Sequence, residues 1–142
     1  MAGKRRVVFI CGRNAARSQM AEGFLRSLYG DRYDAASAGF RSFRVSLTAT
    51  RVMKEAGIDI SAHWSKSIGE LGVARFDLVV TLCDKAACIP PSLLPPGDGY
   101  LHKEFPDPVT FRGSEQEILE AYRDLRDGIK SWIREQFGPG GS

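Results

Sequence analysis

Apolar residues run unbroken through Val7–Ile10 (VVFI) and again through the middle of Asp77–Leu82 (DLVVTL). Short β-branched runs without alternation predict strands buried on both faces. Between them the period changes. From Ser18 onward, Met20, Phe24 and Leu28 recur four apart with Leu25 beside them, which predicts a helix closed by Gly30. Tyr33–Ala38 predicts a second short strand. Leu47–Ala56 predicts a helix stopped by Gly57, and Ser67–Ala74 a shorter one. Residues 89–99 (IPPSLLPPGDG) hold four prolines and two glycines, which enforces irregular backbone. Tyr100–Glu104 predicts a last strand. Over Ser114–Phe137 the stripe Ile118, Tyr122, Leu125, Ile129, Trp132 and Ile133 follows the helical period, and Ser114 with Glu117 makes a capping box. The ending GPGGS, 138–142, reads as a flexible tail.

Strands alternating with helices predict βαβ units and a parallel sheet with right-handed crossovers. Ligands of such sheets bind beyond the carboxyl ends of strands. Cys11 and Cys83 each follow the end of a predicted buried strand, so the pattern brings them to one rim.

A length of 142 residues suits one domain, here 1–137. No apolar run approaches the roughly 18 residues of a membrane helix. The opening MAGKRRVVFICGR is basic and then apolar, but the apolar part is too short for a signal peptide and no small-residue cleavage site follows. The expectation is a cytoplasmic protein without membrane contact. Net charge is only +3, yet residues 1–54 hold eleven Lys/Arg against three Asp/Glu, and the remainder nine against fourteen. A basic first half favours an anionic ligand. Its arginines are scattered without interleaved aromatics, which argues against nucleic acid. Three cysteines, an odd number, argue against a disulfide framework. C-x4-C with isolated His63 and His102 fits zinc spacing poorly, so no metal is expected.

The segment 11-CGRNAARS-18 joins a buried strand to a helix. Such a turn aims several backbone N–H groups at one point, and the helix dipole adds positive potential there. Gly12, Arg13, Asn14, Ala15 and Ala16 would cradle a tetrahedral oxyanion, and Arg17 would add a bidentate fork. The same field favours a thiolate at Cys11. Ser18 is placed to cap the helix and to donate to the sulfur. Asn14 tolerates the positive φ that a tight loop needs.

C-x5-R-S followed by QMAEG resembles the low-molecular-weight phosphotyrosine phosphatase fold, and more closely its thioredoxin-coupled arsenate reductase branch. The resemblance extends through VVFIC, RSQMAEG at 17–23, SAG at 37–39, IDIS at 58–61, DLVVTLC at 77–83, a cysteine just beyond, and DP at 107–108. It implies a three-layer α/β sandwich, a central four-stranded parallel sheet flanked by helices. It also implies arsenate as substrate, Cys11 as nucleophile and Asp107 as the acid that protonates the leaving oxygen. Cys83 would resolve the Cys11–arsenic adduct, and Cys88 would then resolve the Cys11–Cys83 disulfide. Thioredoxin or a similar thiol would regenerate a monomeric enzyme that needs no cofactor. The alternative is a low-molecular-weight protein tyrosine phosphatase, which needs one cysteine only; a redox-sensing or anion-binding module is a third. Phosphatases of this fold place two aromatics after the acidic Asp-Pro. Here Val109 and Thr110 follow Pro108, which points to a small inorganic anion.

Some departures matter. Arg13 stands where a glycine is common, and Ala16 where a cysteine is common. Asn14, Glu22 and Ser37 match potassium ligands of some relatives, but Lys66 replaces an acidic one, so weak or absent potassium dependence is expected. His63 is equally open to a structural reading and to a place near the loop. Trp64 and Trp132 are expected to pack.

Overall fold

The protein is described by a computed structural model covering residues 3–72, 75–83 and 90–139. Four strands, β1 (Arg5–Cys11), β2 (Tyr33–Gly39), β3 (Phe76–Thr81) and β4 (Gly97–His102), form one parallel sheet in the order β2-β1-β3-β4. Among the described residues three α-helices accompany them: α1 (Arg17–Tyr29), α2 (Leu47–Glu55) and α3 (Glu115–Phe137). Val7–Ile10 is buried on both sides, as its unbroken apolar run requires. Val7 and Phe9 join the main core, which holds buried residues of all three α-helices, among them Phe24, Met53 and Ile129. Val8 and Ile10 face a smaller cluster with Ala38, Phe76 and Val79, covered by Ile68, Leu71 and Leu94.

The stripe on α3 docks as its period requires. Trp132 meets Phe9, Phe105 and Phe137 edge-on at 6.3, 6.0 and 5.8 Å, the arrangement that aromatic quadrupoles favour. The expectation that Trp132 packs is met; Trp64, in contrast, is 66% exposed and packs little. Ser114 accepts from the Glu117 amide and Glu117 from the Ser114 amide, completing the capping box. The Ser67–Ala74 helix is corrected to a single 3₁₀ turn, Ile68–Leu71, ended by Gly72 at φ 62°; four residues bury too little to sustain a longer helix. β4 begins three residues before the predicted strand and ends two before it, because Gly97–His102 pairs along the whole of β3, from Phe76 to Thr81. No helix among the described residues is long and apolar enough to cross a membrane.

β1 has β2 on one side and β3 on the other, so chain order reverses direction across the β1/β3 pair. That is the crevice where open parallel sheets place their ligands.

Candidate active site

Register sets the first distance. Ile10 pairs with Thr81, and the Leu82 amide donates to Ile10 O at 2.9 Å. Cys83 therefore lies one residue beyond the position opposite Cys11, just past the carboxyl end of β3. Both are buried, at 2% and 1% exposure. Cys11 is a free thiol, whereas Cys83 is disulfide-bonded. Cys88 lies outside the described residues.

Between β1 and α1 the loop carbonyls are held outward one after another. Gly12 O accepts from the Arg41 amide at 3.2 Å and Ala15 O from the Ser46 amide at 2.9 Å. Arg13 O accepts from Ser65 Oγ at 2.8 Å, and Asn14 O from Gln19 Nε2 at 3.1 Å. Ala16 O accepts from the Met20 amide within α1. No peptide here is cis, so each N–H points opposite to the carbonyl before it. The amides of residues 13–17 thus face the concave side, as an oxyanion cradle requires. Asn14 sits at φ 54°, the left-handed conformation its residue type permits.

The loop leans on Gly39 at the end of β2. A Cβ there would lie 2.7 Å from Asn14 N and 2.8 Å from Arg13 C, so only glycine lets the backbones approach this closely. The SAG motif contains this residue, but nothing in the sequence says that its absent side chain makes room for the loop.

Arg17 is buried at the base of the site. Its Nη1 donates to Phe105 O at 3.1 Å and Leu82 O at 3.4 Å, while Nη2 lies 3.5 Å from Asp107 Oδ2. One guanidinium thereby joins the loop, the segment entering Cys83 and the segment carrying the acid. Asp107 Oδ1 accepts from the Val109 amide at 3.0 Å, which turns Oδ2 toward the site. The sequence expectation for Ser18 is half right. Its Oγ is 2.8 Å from Cys11 Sγ, but α1 begins at Arg17 with Ala16 as its cap residue and no side-chain cap bond. Ser18 is already inside the helix, and its hydroxyl serves the sulfur.

These groups open into a cleft of about 730 Å³ lined by Cys11, the loop and Asp107, with Phe43, Val45, Leu47, Pro108, Val109 and Tyr122 as its outer wall. The Arg13 guanidinium lies over the Phe43 ring at 5.6 Å. It adds positive charge at the mouth without entering the cradle.

Beneath the loop lies a buried polar cluster. Ser37 donates to Glu22 Oε1 at 2.5 Å, and Arg26 pairs with Glu22 Oε2 at 2.7 Å. Lys66 Nζ is 3.9 Å from Glu22 Oε1 and donates to Trp64 O at 3.3 Å. Burial pushes the Lys66 ammonium below its usual range, and Glu22 opposes that shift. An ammonium already stands beside the Glu22 carboxylate, so these residues do not fit a potassium ion as well. Gln19, fully buried here, drew no role from the sequence. Its signal was weak: one polar residue inside an apolar pattern.

A family model for low molecular weight phosphotyrosine protein phosphatase matches residues 6–137. An arsenate reductase of Halalkalibacterium halodurans is 39% identical over 131 residues, 92% of this chain and 94% of that protein. A "Glutaredoxin arsenate reductase" of Synechocystis sp. is 33% identical over 129 residues, 91% and 93% of the two chains. Among solved structures, "an arsenate reductase in the phosphate binding state" superposes with a TM-score of 0.77 at 32% identity, covering 92% of this chain and 94% of the other.

Proposed function

We propose that this chain, which belongs to the low molecular weight phosphotyrosine protein phosphatase family, is an arsenate reductase. The observation that carries the reading is the register: a free thiol beneath an oxyanion cradle, with a second cysteine one position past it, just beyond the carboxyl end of β3.

The chemistry runs in three exchanges. The Cys11 thiolate attacks arsenic held by the loop amides and Arg17; an arsenic–oxygen bond breaks, and Asp107 gives its proton to the departing oxygen, which leaves as water. A Cys83 thiolate then attacks Cys11 Sγ. The sulfur–sulfur bond forms, the sulfur–arsenic bond breaks, and its electron pair stays on arsenic, which leaves as arsenite. Cys88 next attacks Cys83 and frees Cys11. A dithiol protein, thioredoxin or glutaredoxin, then reduces the resulting disulfide. The enzyme works as a cytoplasmic monomer.

The test is NADPH consumption with arsenate, the protein and either reductant system. Turnover is expected with one of the two. Cys88→Ser should release about one arsenite per protein and stop. Replacing potassium by sodium should leave the initial rate unchanged, because Lys66 Nζ already supplies the cation; a several-fold fall would refute that assignment.

A phosphatase is favoured by one observation, the apolar outer wall of a cleft larger than a tetrahedral anion needs. It predicts aryl phosphate hydrolysis that Cys83→Ser and Cys88→Ser leave untouched, with no arsenate-dependent oxidation.

A further inference from the structure

Arg13 and Arg44 carry charges that the three exchanges leave unused. Both line the cleft, and both are exposed. They stack on one ring: the guanidinium carbon of Arg13 lies 5.6 Å from the Phe43 centroid and that of Arg44 5.2 Å. Arg26, Arg75, Arg123 and Arg126 each meet a carboxylate within 3.2 Å. Among the described residues, Arg13 and Arg44 form no ion pair. One hydroxyl ties their two segments together. The Phe43 amide donates to Ser65 Oγ at 2.7 Å, and Ser65 Oγ donates to Arg13 O at 2.8 Å. The Ser46 amide, two residues past Arg44, donates to Ala15 O at 2.9 Å. Stacking and these bonds hold two long side chains at the mouth.

Among the described residues lining the cleft, the guanidiniums of Arg13, Arg17 and Arg44 stand against one carboxylate, Asp107, which is already 3.5 Å from Arg17. Phe43, Val45, Leu47, Pro108 and Val109 surround them with apolar surface. A cleft with an excess of one sign and low-dielectric walls focuses its field along the opening instead of losing it to water. We infer that Arg13 and Arg44 form an outer anion-binding subsite, which captures the tetrahedral dianion at the mouth and delivers it to Arg17 and the loop amides.

The apolar wall then has a use without an aryl substrate, since it keeps water from screening the two charges. The subsite acts on entry only. Arsenate arrives as an anion, whereas arsenous acid is uncharged near neutrality and leaves without being held. Neither guanidinium touches the bonds that form and break; Arg17 and the loop amides hold arsenic when Cys11 attacks. Arg13 and Arg44 attract the bound anion and the transition state alike, so their loss belongs in KM and not in kcat.

The inference rests on the reductase reading of the same site, and its test separates the two. Arsenate turnover is measured at about 0.01 M and about 1 M sodium chloride, between which the screening length falls from about 30 to about 3 Å. At low salt, Arg13→Gln and Arg44→Gln should each raise KM about threefold, and the double variant about tenfold, with kcat within about twofold of the parent. At high salt the KM values should converge. Arg13→Lys keeps the charge and should restore most of the affinity. Lys4→Gln, before the amino end of β1, removes the same net charge and should leave KM in place. An unmoved KM, a shift that survives high salt, or one reproduced by Lys4→Gln overturns the inference. A second probe needs no arsenate. In reduced protein, alkylation of Cys11 by iodoacetate and by iodoacetamide is compared by peptide mass spectrometry. The reagents differ in charge, and the ratio of their rates cancels thiolate content. The double variant should lower the iodoacetate-to-iodoacetamide ratio about threefold at low salt. An unchanged ratio overturns the inference. A lowered ratio without arsenate turnover upholds the subsite and counts against the reductase reading alone.

Discussion

At the scale of single residues, the site depends on groups with very different visibility. Cys11, Arg17 and Ser18 were legible because their chemistry is tied to a spacing on a strand–loop–helix turn, whereas Asp107 was read only from the resemblance that its DP motif carries. Gly39 was not, since its role is to be absent: a methyl there would collide with loop backbone at 2.7–2.8 Å. Gly39→Ala should therefore lower kcat/KM by at least tenfold with little change in helix content, measured by steady-state kinetics beside circular dichroism. Asp107→Asn keeps the shape and removes the proton. It should cost about 10²–10⁴-fold in the step that expels water, read by rapid-quench formation of the Cys11 adduct. Gln19 escaped notice, and His63 was left without a role, for another reason. A hydrogen-bond chain between residues 44 apart leaves no local pattern.

At the scale of elements, periodicity foretold what packing later confirmed. The α3 stripe carries Leu125, Ile129, Trp132 and Ile133 into the core, all at most 8% exposed. Ile129→Ala should lose about 2–5 kcal/mol in urea unfolding, the cost of removed contacts plus the cavity left behind. Between helices the chemistry is ionic. Glu55 on α2 pairs with Arg123 on α3 at 2.8 Å and with Arg126 at 3.2 Å. The Arg123 hydrogen bond, chiefly, holds its carboxyl at about 2 against an ordinary 4.5. A lowered carboxylate stabilises above its unfolded range and loses that contribution as pH falls toward 2. Glu55→Gln should flatten the stability profile between about pH 4.5 and 2, and added salt should blunt the difference. The boundaries were less legible: β4 and the 68–71 turn are set by partners elsewhere in the chain, which a local pattern does not contain.

For the whole molecule, pH enters through His63. Its imidazole is depressed in the folded chain, so the unfolded chain binds the proton first. Stability should fall as pH drops from about 6.5, the ordinary imidazole value, and His63→Asn should remove that slope in thermal melts across the window. The parallel order of the sheet was legible from alternating strands and helices, and so was the rim that holds the cysteines. Among the described residues, the same polarity leaves the opposite rim without any of the candidate site groups. There Gly3, Lys4 and Arg5 meet Asp31, Arg32 and Tyr33 around a shallow hollow, and Arg32 clasps Phe137 O at 3.0 Å. Parallel strands give the molecule a front and a back. Tethered to an electrode or bead through Lys4 or Asp31, it would present its cleft to the sample with nothing in the way.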